Sequence, residues 1–256
     1  MLPAAQRPAA QLERLLGMRP VYAMGGPGSS LLDYAERIRW ARQQLGLKDI
    51  VVLLERTDAL QAICGSGNVH SECLDRQSGA FVSVRQPAAG AVKSVLRHSA
   101  LAQYLMGQLK LSPQALVSTT FWHTGPSSVR GGAGDGPWHD PHQEQAAAAD
   151  RIIAEFCRRI GTQADARLVF VVDMNRSLLA DHQHATPDGN EYLVHRLRAH
   201  GLRVIDAAPI FREHTVASRL QLAVGPYDGH LNALGVELLM RRVAGEIAAA
   251  PVRQGA

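Results

Sequence analysis

Residues 49–55 read "DIVVLLE", an unbroken run of aliphatic residues between two charged ones. A run of this kind is typical of a strand that is covered on both faces, as in a parallel sheet packed between helices. The runs "RLVFVVD" (167–173) and "LRVIDA" (202–207) have the same character. Together the three runs predict the buried strands of an α/β fold.

Longer segments with helical periodicity separate these runs. In "SLLDYAERIRWARQQLG" the apolar residues recur at intervals of three and four, at Leu31, Tyr34, Ile38 and Ala41. Ser29 or Ser30 stands before them in the place of an N-cap. Further helices are predicted at about 91–109, 143–160, 187–200 and 232–249, and 9–16 has the pattern of a helix end. The alternation predicts a three-layer, doubly wound and mainly parallel sheet.

Three other segments complete the predicted organisation. "RPVYAMG" (19–25) is predicted as a short strand that breaks into a glycine turn. Residues 62–90 and 118–142 lack periodicity, and loops of such length inside a compact domain are usually functional or disordered. Because no repeat and no clear linker divides the chain, residues 1–256 are predicted to form one domain.

The charge and apolar patterns argue against several classes of partner. Of 27 Lys and Arg residues only Lys48, Lys93 and Lys110 are lysines, and the arginines are scattered rather than gathered in a basic stripe with aromatic residues. No apolar run approaches the roughly 18–20 residues that span a bilayer. We therefore expect neither a nucleic-acid partner nor a membrane span, and no motif in the chain calls for a cofactor.

The cysteines and the N-terminal stretch leave the compartment open. Cys64 and Cys73 bracket a loop rich in Gly, Ser and Asn, so a disulfide in an oxidising compartment and free thiols in a reducing one are both consistent with the sequence. The stretch "MLPAAQRPAAQLERLLG" has no apolar core of a secretory signal.

Asp228 and His230 lie in the polar stretch "PYDGHLNALG" (226–235), just before an amphipathic run. A carboxylate near a histidine can orient the imidazole as a general base. A simpler interpretation has Asp228 as a capping group of the following helix and His230 as a surface residue, because acidic residues favour helix N-termini. Both interpretations remain open at this point.

Two further polar turns follow predicted strands. "GGPGSS" (25–30) opens a helix, and its backbone N–H groups suit an anion or a developing oxyanion, although a tight turn also needs Gly for its dihedral angles. It matches neither a Walker loop nor G-x-G-x-x-G. "LLERTDAL" (53–60) places Asp58 just past a strand, where ligands bind in doubly wound sheets. Glu55 or Asp58 can equally cap the next segment.

Other catalytic patterns are weak or missing. The G-x-S-x-G elbow of α/β-hydrolases does not occur. "WHDPH" (138–142) and "DHQH" (181–184) bring His and Asp together, but neither has a second cluster at a recognised zinc spacing. We expect no metal site, and a metal-dependent hydrolase is an outside alternative built on His139, His142, His182 and His184.

Taken in order, these segments resemble the sequence blocks of the SGNH hydrolases, also called GDSL-type esterases. The turn at 25–30 is similar to the second block, with Gly28 at the position of an oxyanion donor. "DIVVLLERTD" is similar to the third block, and "YDGHLNALG" to the closing Asp and His. The resemblance covers about residues 10–249 and implies a flavodoxin-like sheet with a Ser-His-Asp triad, in which His230 is the base and Asp228 orients it.

Two departures from the family pattern bear on activity. Thr57 stands where the family has an asparagine that donates to the oxyanion, and losing one such donor typically costs about 100- to 1,000-fold in rate. The Gly-Asp-Ser nucleophile block has no counterpart, and Ser29, Ser30 and Ser66 lie in no recognisable nucleophile context. We expect that block, with the family's first strand, upstream of residue 1 in a longer product. The alternative is a relative whose second and third strands have closed together.

Two functions follow from the resemblance. The first is an esterase that acts on O-acyl groups of a carbohydrate or on another small polar ester, with Gly28, Thr57 and Asp58 at the oxyanion and substrate site. In it, the loop at 118–142 would cover the site. The second function is that of a catalytically inactive protein of the same fold, which binds a glycan or a protein partner. The missing nucleophile and Thr57 favour the second, and the oligomeric state stays open.

Overall fold

The computed structural model describes residues 2–26, 28–66, 71–84, 141–161, 166–174, 179, 190–225 and 228–249, with the backbone alone at 141–144, 190 and 228. These residues belong to one compact unit, Met1–Val84 with Asp140–Ala256. The helix predicted at 91–109 lies outside the described residues, as does nearly all of the loop predicted at 118–142.

The architecture is mixed α/β, as the sequence predicts. The strands are β1 (Asp49–Leu54), β2 (Glu72–Leu74), β3 (Phe81–Ser83), β4 (Arg167–Val172), β5 (Arg203–Asp206), β6 (Ala223–Gly225) and β7 (Asp228–Leu231). The helices are a 3-10 helix at Ala4–Gln6, then α1 (Pro8–Leu15), α2 (Leu31–Leu45), α3 (Asp58–Gln61), α4 (Pro141–Ile160), α5 (Asn190–Ala199), α6 (Ala207–Ser218) and α7 (Ala233–Ala249). Within the described ranges no helix is long and apolar enough to cross a bilayer.

Three parallel strands form the central sheet in the order β1-β4-β5. Side chains of β4 alternate between its two faces. Leu168, Phe170 and Val172 pack with residues of α2, α4 and α5. Val169 and Val171 pack with residues of α1, α6 and α7 on the other face. Because both faces are covered, β4 needs apolar side chains from Leu168 to Val172, and this explains its unbroken run.

The long helices α2, α4 and α7 run opposite to the strands they cover. Arg42, in the last turn of α2, donates from Nη1 to the carbonyl oxygen of Ile160 at the end of α4, at 3.1 Å. Arg167, the first residue of β4, donates from Nη1 to the carbonyl oxygen of Ile247 near the end of α7, at 2.5 Å. The C-terminal ends of these helices therefore lie at the amino end of the sheet, and their N-terminal ends lie at its carboxyl edge.

Strand β1 has a free edge among the residues that the structure describes. The carbonyl oxygen of Leu54 accepts a hydrogen bond from the Asp173 N–H beside it, at 2.8 Å. Alternate residues of a parallel strand bond to the same neighbour, so the N–H and C=O groups of Val51 and Leu53 point away from β4. No described strand pairs with them there, and Leu53 is 39% exposed.

The prediction of a strand at 19–25 is wrong. Residues 19–26 have no regular secondary structure, and the N–H of Val21 donates to Glu13 Oε2 at 3.0 Å instead of to a neighbouring strand. Arg19 Nη2 lies 2.5 Å from Asp49 Oδ2 at the start of β1, while α2 begins at the carboxyl edge. The segment thus passes from one end of β1 to the other without pairing with it. The predicted alternative of two closed-up strands is therefore wrong as well.

Part of the loop predicted at 62–90 is a regular hairpin. Strands β2 and β3 pair antiparallel, and a disulfide joins Cys73 in β2 to Cys64, with the two Cα atoms 5.0 Å apart. Arg159 of α4 donates from Nη2 to Glu72 Oε1 at 2.7 Å, which ties the hairpin to the helix. Cys157 is a free thiol whose pKa burial raises to about 11.

Candidate functional site at the carboxyl edge of the sheet

The residues predicted to form the site reach one edge of the sheet from three elements. Thr57 and Asp58 follow β1 at its carboxyl end, and Gly28 lies just before α2, which begins at that edge. Asp228 and His230 lie in β7, just before the start of α7. In open parallel sheets this edge is where ligands bind. The three groups share an end of the molecule, with α2 and α7 on opposite faces of the sheet.

His230 lies in a short hairpin with an irregular register. The end residues of β6 pair with β7, Ala223 with Leu231 and Gly225 with Asp228. Val224 alone therefore faces both Gly229 and His230, which makes a β-bulge. Bulges are frequent beside active sites because they re-aim a side chain. His230 is exposed, so a ligand can reach it.

Asn232 caps α7. Its Oδ1 accepts from the Gly235 N–H at 2.9 Å, and its Nδ2 donates to the carbonyl oxygens of Gln221 at 2.7 Å and Ala223 at 3.2 Å. The interpretation of Asp228 as the cap of this helix is therefore wrong. Asparagine is a preferred N-cap residue and Asn232 directly precedes the helix, so the sequence pattern contains the signal that assigns it.

Gly235 allows the hairpin to pack against the first turn of α7. A Cβ at this position would lie 2.7 Å from Leu231 Cδ2 and 2.9 Å from the carbonyl oxygen of Leu222. The backbone contact has little room to relax. Gly235→Ala should therefore lower the free energy of unfolding by about 1–3 kcal/mol, although alanine favours helix. Unfolding in urea measures the change.

Gly245 provides the matched control in the same helix. A Cβ at Gly245 would meet nothing within 4 Å. Gly245→Ala should thus raise the free energy of unfolding by about 0.5–1 kcal/mol through helix propensity. Two variants that change stability in the same direction would contradict the proposed packing at Gly235.

Gly28 presents a backbone donor at the start of α2. Its φ of 71° is left-handed, a conformation that glycine adopts without steric cost. Gly28 is exposed, and no residue in the described ranges accepts a hydrogen bond from its N–H. The predicted oxyanion role would use this N–H as the donor.

The hydroxyl groups of the nearby serines form hydrogen bonds with residues close to them in the sequence. Ser29 and Ser30 are buried, at 5% and 0% exposed. Their hydroxyls and that of Ser66 donate to near neighbours: Ser29 to the carbonyl oxygen of Gly26 at 2.7 Å, Ser30 to Asp33 Oδ2 at 2.9 Å and Ser66 to the carbonyl oxygen of Gln61 at 2.7 Å. The acceptors for Ser29 and Ser66 are backbone carbonyl oxygens, which do not take a proton, and the Asp33 oxygen that accepts from Ser30 also accepts from the Ser30 N–H in the capping box of α2.

The Thr57 hydroxyl is also hydrogen-bonded. It donates to Glu55 Oε2 and accepts from Gln61 Nε2, the latter at 3.0 Å. The Thr57 N–H donates to the same Glu55 oxygen at 3.0 Å. Because a hydroxyl has one proton, Thr57 can donate to an oxyanion only after that proton leaves Glu55. Glu55 therefore controls whether Thr57 is available to a ligand.

Asp58 is a buried carboxyl group that closes the turn after β1. It is 5% exposed, and its Oδ2 accepts from the Glu55 N–H at 3.0 Å. Burial raises the pKa of Asp58 to about 7; the nearby Glu55 carboxylate adds to the rise and the Glu55 N–H opposes it. Burial, and the charge of Asp58, also raise the pKa of Tyr34 to about 12. The buried Asp58 carboxyl group thus stabilises the turn after β1 by accepting the hydrogen bond from the Glu55 N–H.

A serine–histidine pair that the sequence pattern did not single out lies at the end of α6. Ser218 Oγ is 2.8 Å from His214 Nε2 and 2.9 Å from the His214 carbonyl oxygen, and it accepts from the Leu220 N–H at 3.2 Å. The free carbonyl oxygens at a helix C-terminus would repel an oxyanion. We therefore interpret the pair as a cap of α6. Its spacing of four residues within a helix is the signal that could have found it.

The side chains of the four histidines of the alternative metal-dependent hydrolase lie outside the described residues. His139, His182 and His184 lie outside the described residues, and so does the side chain of His142. In the part of the chain that the structure describes, no group of three or more His, Cys, Asp or Glu residues is arranged to hold a metal ion.

Comparison with known proteins finds no match to a family model, to a curated protein or to a solved structure. The fold and the site therefore define the class on their own. It is an α/β protein with a parallel sheet and a candidate ligand site at the carboxyl edge of that sheet.

Proposed function

We propose that the protein is a serine hydrolase of the SGNH type, acting on an O-acyl group of a carbohydrate or on another small polar ester. The proposal is supported by the placement of Gly28, Thr57 and His230 on elements that begin or end at the same edge of a parallel sheet. In the proposed reaction His230 takes the proton of a serine hydroxyl, and Asp228 holds the imidazole in the required tautomer. The N–H of Gly28 donates to the oxyanion.

The free edge of β1 leaves room for a further strand that would carry the nucleophile. A further strand parallel to β1 would use the N–H and C=O groups of Val51 and Leu53, with which no described strand pairs, and would lie beside the exposed Leu53 side chain. Such a strand ends at the carboxyl edge, close to the turn at Thr57. In this proposal the nucleophilic serine lies on that strand, outside the described residues.

The oxyanion site is weaker than the family pattern implies. With the Thr57 proton held by Glu55, the Gly28 N–H is the principal donor, and the missing donor is expected to cost about 100- to 1,000-fold in rate. This makes activated esters with good leaving groups the substrates of choice for detecting turnover.

Labelling with a fluorophosphonate tests the proposal. This reagent forms a covalent bond with an activated serine, and mass spectrometry of the digested protein identifies the residue. We expect one labelled serine, outside Ser29, Ser30, Ser66 and Ser218, in the protein purified as its own cells produce it. Labelling of Ser218 would instead assign the reaction to the His214 pair, and absence of any label would contradict a serine hydrolase.

The hydrogen bond from Thr57 to Glu55 also favours a second function. If neither Thr57 nor a serine is available, the same edge of the sheet becomes a binding site for a glycan or a protein partner. The protein would then take no label and hydrolyse no nitrophenyl ester, yet it would bind a ligand at His230.

A further inference from the structure

We infer that Val224 determines specificity, by providing an apolar surface beside His230 for an aliphatic acyl chain. This inference rests on the proposed function, because it takes the reacting carbonyl to approach His230. It follows from the register of the hairpin, which no sequence pattern reveals.

The bulge places Val224 and His230 on one face of the hairpin. Ala223 and Leu231, a pair at one end, are both half-buried, and Leu231 packs against the core on the α7 side of the sheet. Side chains of opposed residues share a face and those of successive residues alternate, so Val224 points to the face opposite to that pair. His230 is opposed to Val224 across the bulge. Exposure agrees with this geometry, since Val224 is 47% exposed and His230 is also exposed.

The segment leading into the hairpin carries two more exposed apolar side chains. Val216 at the end of α6 is 77% exposed and Leu220 is 55% exposed. Single exposed apolar side chains are common on proteins, but three of them within residues 216–224 precede the proposed base. An aliphatic chain attached to a carbonyl at His230 would remove apolar surface of Val224 from water. The inferred substrate class is therefore an ester whose acyl group is longer than acetyl.

Methyl NMR with sodium hexanoate and sodium acetate as probes tests the inference without requiring turnover. In the wild-type protein we expect hexanoate to shift the Val224 methyl signals and to bind at least about tenfold more tightly than acetate, since each buried methylene favours binding. Val224→Ser should weaken hexanoate binding by about fivefold, and Val224→Ile should not weaken it.

Val82→Ser is the matched control. Val82 is 36% exposed in the β2–β3 hairpin, and hexanoate binding should be the same as in the wild type. Hexanoate that leaves the Val224 methyls unshifted, or binds equally to Val224→Ser, would overturn the inference. Hexanoate binding at Val224 without ester turnover would retain Val224 as part of a binding surface and remove the proposed hydrolase. Ester turnover that is unchanged in Val224→Ser would retain the hydrolase and overturn the role of Val224 in specificity.

Discussion

Replacing His230 by alanine should lower kcat/KM for p-nitrophenyl acetate by about 10,000-fold or more. Without the imidazole no group is left to take the proton of the attacking serine, while the oxyanion donor and the substrate contacts remain. The measurement is steady-state hydrolysis by the protein purified as its own cells produce it. Because His230 is exposed, its loss should change the free energy of unfolding by no more than about 0.5 kcal/mol.

Two further variants sharpen this prediction. His200, exposed just after α5, lies next to the amino end of β5, and His200→Ala should hydrolyse the ester at the wild-type rate. Asp228→Asn should lower kcat by about 10,000-fold if Asp228 fixes the imidazole tautomer. Equal hydrolysis by the wild type and His230→Ala would exclude His230 as the base.

Replacing Asp58 by asparagine should stabilise the protein above pH 7 and leave it nearly unchanged near pH 4. The folded protein binds a proton on Asp58 up to a pKa of about 7, whereas the unfolded chain releases it near the ordinary value of 3.8. Between these values the wild type loses stability as the pH rises. The difference of about three pKa units corresponds to at most about 4 kcal/mol. Asparagine keeps an oxygen that can accept from the Glu55 N–H and carries no charge.

Urea unfolding of both proteins between pH 4 and pH 9 measures this effect. The free energy of unfolding of Asp58→Asn should fall less steeply from pH 4 to pH 7, and above pH 7 the gap should stay constant. Glu36→Gln, at an exposed ion pair with Arg39, is the control and should follow the wild type closely. Parallel curves for Asp58→Asn and the wild type would show that Asp58 does not hold the proton.

Most of the sheet and its covering helices could be predicted because their signals are local. The strands β1 and β4 are unbroken apolar runs, and α2 and α7 follow from helical periodicity. The segment 19–25 has a strand-like pattern too, but a strand also needs a backbone partner, and pairing depends on residues far along the chain. The hairpin of β2 and β3 was not predicted for a different reason. Its strands are too short to show the alternation of apolar and polar residues that is typical of a strand.

The edge of the sheet at which the predicted site residues lie could be predicted, but their hydrogen bonds and burial could not. That Gly28, Thr57 and His230 lie at one edge follows from the order of strands and helices. The hydrogen bond from Thr57 to Glu55 depends on side-chain rotamers, and the burial of Asp58 depends on packing around the turn. The spacing of residues in the sequence reveals neither the hydrogen bond nor the burial. The same holds for the bulge at Val224, which depends on a register shift between two short strands.

The common direction of the helices gives the molecule an electrical polarity. An α-helix carries roughly half a positive charge at its N-terminus and half a negative charge at its C-terminus. The negative ends of α4 and α7 are met by the guanidinium groups of Arg42 and Arg167. The positive ends of α2, α4 and α7 face the opposite edge, beside Gly28 and His230. Carboxylates meet positive helix ends at that edge, Asp33 in the first turn of α2 and Asp206 at the N-cap of α6, so both ends of the helix layer carry side chains of opposite charge.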